Sequence, residues 1–183
     1  LTARAWSNQG EQNKALEIAN SVWQTSANLD AAYWLAEFAY RAKDYPTAEE
    51  NFLRVIAADP SLPVLPDALY GLAWTQSQTG ETATAVQTFD RLLKEHPDHT
   101  LANDALIGRG RVRRMNGDNQ GAVEDLDRYL ATQPNSTNRF NATYERALCL
   151  VQLKKWESAI TALESLSNDL STNRSLADDV LFE

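Results

Sequence analysis

Apolar residues recur along this chain at the spacing of an amphipathic helix, roughly every third or fourth position. The clearest example lies between Gly80 and Pro97, where Ala85, Phe89 and Leu92 fall on one stripe. A glycine is typical of the end of a preceding helix, and a proline of the point where a helix must stop. The stretch between these two residues is therefore predicted to be a helix.

The same pattern returns along the chain in one register. An alanine opens each such helix, at spacings of 33, 37, 37 and 37 residues: Ala15, Ala48, Ala85, Ala122 and Ala159. Four residues later stand Ala19, Phe52, Phe89, Leu126 and Leu163, and twelve residues later stand Ala27, Pro60, Pro97, Pro134 and Ser171. Five residues before each alanine stand Gly10, Lys43, Gly80, Gly117 and Lys154. So many columns in one register indicate an internal helical repeat.

Each repeat is predicted to be a pair of helices, and nothing in the sequence is typical of a strand. The third pair is predicted at 66–79 and 82–95, the fourth at 100–116 and 119–132, and the fifth at 138–153 and 156–169. We predict a single array made of a partial repeat at 1–28, complete repeats at 29–62, 63–99, 100–136 and 137–173, and a partial repeat at 174–183. Because both ends carry incomplete helices, we expect a fragment of a longer protein.

These columns resemble the tetratricopeptide repeat, which has a small residue at the eighth position of its first helix and alanine in the opening turn of its second. The small residues here are Ala36, Ala73, Gly110 and Ala147. The resemblance implies an all-α fold of the α-α superhelix class, a solenoid of antiparallel helix pairs whose first helices line a concave groove. Arg109 and Arg146 replace a usual leucine, and Ser171 replaces the last proline. The two arginines bear on how tightly the fourth and fifth pairs close.

A finer resemblance concerns the repeat period. The 37-residue spacing and motifs such as Tyr33-Trp34-Leu35-Ala36 are most similar to the bacterial envelope branch of this family. That branch includes the periplasmic coordinator of the Tol-Pal system and the outer-membrane-assembly lipoprotein. The resemblance thus favours the bacterial periplasm or cell envelope over the cytoplasm.

Composition and motifs narrow the classes of function. The formal net charge of −8 disfavours nucleic acid as a partner, because phosphate backbones select basic surfaces. No apolar run has transmembrane length, so we expect no direct membrane insertion. No catalytic or metal-binding motif is present, so we expect no enzyme, no cofactor and no metal. His96 and His99 are interpreted as part of a solvated connector rather than half a metal site, and Cys149 as a small buried apolar residue.

The candidate partner-binding residues stand at the first-helix positions that line the groove in this family. They are Tyr33, Glu37, Tyr40, Tyr70, Trp74, Arg111, Arg114 and Tyr144. The alternative for the aromatic residues is that they pack on one another, since such side chains serve cores and interfaces alike. The alternative for the arginine cluster that includes Arg109 and Arg113 is pairing with Glu124, Asp125 and Asp127 of the next helix, or simple solvation.

The pattern favours a non-catalytic protein–protein interaction scaffold that binds a protein or peptide segment in its groove. An extended or helical ligand with apolar anchors and an acidic residue would suit the aromatic column and Arg111. The other interpretation is a structural spacer or oligomerisation segment of a larger protein. Partner identity and oligomeric state stay open at this point.

The register generates a first prediction, on stability. Phe89 is predicted to be the buried centre of the second helix in the middle pair, so Phe89→Ala should lower the free energy of unfolding by roughly 3–5 kcal/mol. Urea unfolding followed by circular dichroism measures this change. A loss below about 1 kcal/mol, the size of an ordinary surface substitution, would show that the register is wrong.

Overall fold

The computed structural model describes residues 17–19, 21–22, 29–58, 61–133 and 136–172. Residues 17–19 and 21–22 are helical, and no strand occurs in the described part of the chain. From residue 29 onward the described helices are α1 (Leu29–Arg41), α2 (Tyr45–Ala58), α3 (Leu65–Gln78), α4 (Thr82–Glu95), α5 (Ala102–Met115), α6 (Asn119–Thr132), α7 (Arg139–Gln152) and α8 (Trp156–Thr172). The all-α prediction and the predicted helix pairs are confirmed, with bounds that differ by three residues at most.

The turn inside each pair has the same backbone conformation in four repeats. Gly80 and Gly117 have φ values of 86° and 83°, and Lys43 and Lys154 have φ values of 62° and 58°. These four residues occupy one column of the repeat, five positions before the register alanine. A left-handed residue ends one helix and redirects the chain into the next, and glycine adopts it without the steric cost that lysine pays.

Side-chain N-caps are found at the start of two of the second helices, α2 and α6. The Asp44 side chain accepts a hydrogen bond from the Thr47 amide at 3.3 Å, as expected of an N-cap. Asp118 likewise accepts from the Gly121 amide at 2.9 Å, at the start of α6. Both carboxylates satisfy amide groups that a helix start leaves without a partner in the helix itself.

The described chain divides into two compact units, with the boundary between Ala105 and Leu106 inside α5. In the first unit α1 packs on α2, α2 on α3 and α3 on α4, and α1 also contacts α3. Its main core joins three helices through buried residues at helical spacing: Ala32, Ala36, Ala39, Ala48, Phe52, Val55, Ala68 and Leu72. The many alanines allow the helix backbones to approach closely, and Phe52 fills the space between them.

The second unit is held together in the same way. Helix α6 packs on α7, and α7 on α8. Ala122, Val123, Cys149, Leu150 and Ala159 form its core cluster. Gly110 faces the Leu126 side chain, where an added Cβ would lie 3.2 Å from Leu126 Cγ.

Burial differs in the last repeat at the column that stands four residues after the register alanine. Phe52, Phe89 and Leu126 are 0%, 0% and 1% exposed, whereas Leu163 at the same repeat position is 42% exposed. Leu163 therefore does not share the burial of the other members of its column. The reason is positional, because no helix follows α8 among the described residues, so this face of α8 has no described neighbour to cover it.

Candidate functional site

The first unit carries a surface formed by neighbouring first helices, α1 and α3. It consists of Tyr33, Glu37, Tyr40, Asp67, Tyr70 and Trp74, and we call it the aromatic–acidic face. All of these side chains are partly exposed. Five of them are residues that the sequence singled out, and the structure brings those five together; Asp67 is an addition.

The aromatic rings of this face rest on the second helix of their own pair. Tyr70 and Trp74 meet Phe89 edge to face, with ring centroids 5.9 and 5.8 Å away. Tyr33 lies 6.2 Å from the Phe52 ring. These are distances at which aromatic pairs attract. The rings are therefore held in place from below while part of each remains accessible.

Carboxylates lie among these rings. Burial raises the pKa of Tyr33, and the negative charges of Glu37 and Asp67 raise it further. Burial also raises the pKa of the Glu37 carboxyl, an effect that the Arg41 charge and the nearby Tyr33 hydroxyl oppose.

Glu37 pairs with Arg41, one turn further along α1, at a long distance. Arg41 Nη2 lies 3.8 Å from Glu37 Oε2, beyond hydrogen-bonding distance, and the Arg41 side chain is 47% exposed. At the other end of the face, Asp104 raises the pKa of Tyr70, after the larger effect of burial.

The other three sequence-predicted residues lie in the second unit. Arg111 is exposed, and Tyr144 is 46% exposed. Arg114 is engaged within the unit, with its Nε 2.6 Å from Glu145 Oε2 on α7. Of these three residues, Arg111 and Tyr144 are thus the more accessible.

The remaining arginines of the cluster serve the fold, as one of the two interpretations predicted. The Asp125 carboxylate, whose side chain is 4% exposed, pairs with Arg109 and also accepts a hydrogen bond from Arg113 Nη1 at 2.9 Å. Arg146 on α7 pairs with Asp127 on α6, in the preceding repeat. Arg109 therefore closes its own helix pair through an ion pair rather than an apolar contact, whereas Arg146 joins α7 to the preceding pair.

Sequence reasoning missed the buried polar column to which Asp125 belongs. Its members, three residues after the register alanine, are Asn51, Thr88 and Asp125, which are 4%, 9% and 3% exposed. Thr88 donates a 2.7 Å hydrogen bond to Gln76, which stands at the repeat position of Arg113. The signal was available, because a polar residue recurs beside the apolar stripe in three successive repeats.

Cys149 is buried, as predicted, whereas His96 and His99 are partly buried in the connector between α4 and α5 rather than fully solvated. His99 Nε2 lies 4.0 Å from Asp67 Oδ2. No group of three or more potential metal ligands occurs among the described residues. Cys149 is buried, and that burial raises the pKa of its thiol to about 11, so little reactive thiolate forms at neutral pH. None of the described helices is long and apolar enough to cross a membrane.

Helix pairs in one repeating register, with side chains presented on their first helices, define a helical-repeat protein of the interaction-scaffold class. Tetratricopeptide-repeat family models match residues 13–63, 67–99 and 104–136, which together make up more than half of the chain. The chain belongs to the tetratricopeptide-repeat family, and repeats of this fold are typically non-catalytic scaffolds.

Solved structures show the same fold at low sequence identity. A crystal structure of MamA is 15% identical, with a TM-score of 0.81 over 93% of this chain and 95% of that one. A putative kinesin light chain repeat protein from Podosopora anserina is 19% identical, with a TM-score of 0.76 over 94% of each chain. YrrB, described as a tetratricopeptide-repeat protein with an unusual peptide-binding site, is 17% identical, with a TM-score of 0.77 over 97% of this chain and 87% of that one. No curated protein sequence matches the chain.

The buried ion pairs generate a second prediction. Asp125→Ala should lower the free energy of unfolding by roughly 3–5 kcal/mol, because it removes the carboxylate that pairs with Arg109 from a largely desolvated site and leaves Arg113 with the more distant carboxylate of Asp118. The matched control is Asp127→Ala, since Asp127 also pairs with an arginine but is 51% exposed. That control should cost less than about 1 kcal/mol. Denaturant unfolding of both variants measures the difference, and equal costs would contradict a structural role specific to Asp125.

Proposed function

We propose that this chain is a non-catalytic scaffold that binds a segment of a partner protein on the exposed faces of its first helices. The observation that carries the proposal is the bracing of Tyr70 and Trp74 against Phe89, which keeps both rings partly exposed and fixed in place. Rigid aromatic side chains contribute strongly to interfaces, because they bury a large area while losing little conformational entropy.

The binding residues we assign are those that the repeat register selects. In the first unit they are Tyr33, Glu37, Tyr40, Tyr70 and Trp74, and in the second they are Arg111, Arg114 and Tyr144. Arg111 and Tyr144 are exposed and offer a positive charge and an aromatic ring to a ligand with apolar and acidic groups. A peptide ligand also follows by analogy with YrrB, whose description names a peptide-binding site.

The proposal extends to the organisation of the repeats and to the cellular setting of the protein. We propose that the chain forms one array of four complete and two partial repeats within a longer protein, as the columns of the register predict. We also propose a role in a bacterial envelope assembly, which rests on the 37-residue repeat period and its resemblance to that branch of the family.

One observation favours a second candidate function, that of a spacer which self-associates. Trp156, Ile160 and Leu163 form an apolar stripe on α8 and are 51%, 55% and 42% exposed. Exposed apolar stripes of this kind mark contact surfaces. A spacer of this type should self-associate at rising concentration, whereas a segment-binding scaffold should capture its partner as a monomer.

Partner capture tests the main proposal. Tyr70→Ala/Trp74→Ala should recover far less partner from lysate of the source organism than the unaltered chain, because both anchors are lost. Leu53→Ala/Met115→Ala is the control, as it removes two exposed apolar side chains from α2 and α5 that are not assigned to binding. Circular dichroism must show equal helical content in all three proteins. If the altered and unaltered chains recover the same partners, or if only the Tyr70/Trp74 variant unfolds, the aromatic residues serve packing and the proposal fails.

A further inference from the structure

A column of aspartates in the repeat contributes negative charge to the aromatic–acidic face. Asp30, Asp67 and Asp104 stand 37 residues apart, each in the first turn of a first helix. Glu37 adds a fourth carboxylate on α1. Three of these carboxylates lie near the aromatic side chains, because Asp67 and Glu37 both act on the Tyr33 hydroxyl and Asp104 acts on that of Tyr70.

Local helix stabilisation accounts for only part of this set. A carboxylate in the first turn of a helix interacts favourably with the helix dipole, by roughly 0.3–1 kcal/mol. That effect explains why aspartate suits the three first-turn positions. It does not explain Glu37, which lies in the third turn of α1 with its side chain only 22% exposed. A carboxylate in the middle of a helix loses hydration and gains no stabilisation from the helix dipole.

The Glu37 side chain is partly exposed, so a cation from outside can reach it. Tyr33 stands one helical turn before it, and its ion-pair partner Arg41, one turn after it, is 3.8 Å away and about half exposed. Tyr33, Tyr70 and Trp74 supply aromatic surface beside the carboxylates. A lysine or arginine side chain suits such surroundings, because its apolar stem packs on rings while its charge pairs with a carboxylate.

We propose that the aromatic–acidic face binds a basic segment of a partner protein, and that a Lys or Arg side chain of this segment lies between the aromatic rings and the carboxylates of Glu37 and Asp67. Apolar residues flanking that side chain contact Tyr70 and Trp74. This inference rests on the proposed scaffold function and specifies the ligand of the first unit. The acidic ligand group expected from Arg111 concerns the second unit.

Matched peptides test the charge preference directly. The probes are fluorescein-labelled extended peptides of alternating Leu and Ser that differ only at one central position, which is Lys, Gln or Glu. Fluorescence anisotropy at low and at high salt gives the dissociation constants. The Lys peptide should bind the unaltered chain at least about tenfold more tightly than the Gln peptide, and the Glu peptide most weakly. Added salt should reduce the preference, because the carboxylates are partly exposed.

A pair of charge-matched variants locates the effect. Glu37→Gln/Asp67→Asn should remove the preference for Lys, because both carboxylate charges are lost while the side chains keep their size. Glu50→Gln/Asp98→Asn removes the same net charge from exposed positions on α2 and in the connector before α5, and should keep the preference. Circular dichroism confirms that both proteins remain folded.

The outcomes separate the basic-ligand assignment from the scaffold function. Equal binding of the three peptides, tighter binding of the Glu peptide, or equal loss of preference in both variants would overturn the basic-ligand assignment and leave the scaffold function standing. If none of the peptides binds while the chain still captures a partner through Tyr70 and Trp74, a short basic segment is the wrong ligand. Failure of both assays would overturn both proposals.

Discussion

The structure depends most on one contact, the insertion of a large apolar side chain from each second helix between neighbouring helices. Phe52 shows it most clearly, because its ring lies on Gly71 of the following helix pair. A Cβ added to Gly71 would stand 2.7 and 2.9 Å from Cε1 and Cε2 of that ring. No helix pair buries its apolar face alone, so each pair depends on the neighbour that covers it. The exposed Leu163 shows the same rule from the other side, since no described helix follows α8.

The same scaffold that buries one ring presents others. Phe89 is wholly buried and supports Tyr70 and Trp74, whose outer parts remain accessible. Packing and candidate binding are therefore not alternatives for these aromatic residues. The ring that faces the core fixes the ring that faces a ligand, and this fixed position lowers the entropic cost of binding.

The helices and their repeat register could be predicted from the sequence. The partners of the charged side chains could not. Helical periodicity and the column of Lys43 and Gly80 predict where each helix turns back, because these features are local in the chain. The double pairing of Asp125 and the surroundings of Glu37 depend on side chains from other helices. Such pairs are set by the packing distance and rotation of two helices, which a periodic pattern does not specify. The position of Tyr33, Tyr70 and Trp74 on partly exposed first-helix surface could be predicted, but not their support by Phe52 and Phe89.

The contact of Phe52 with Gly71 couples one helix pair to the next. A double-mutant cycle tests this coupling most directly. Gly71→Ala should lower the free energy of unfolding by about 1–3 kcal/mol through overpacking. Phe52→Leu combined with Gly71→Ala should be more stable than the sum of the two single effects, because the smaller side chain makes room for the new methyl group. Denaturant unfolding of the four proteins gives the coupling energy. If Gly71→Ala instead stabilises the chain by the roughly 1 kcal/mol expected of a glycine replaced in an open helix, or if the two effects are additive, the contact does not hold the pairs together.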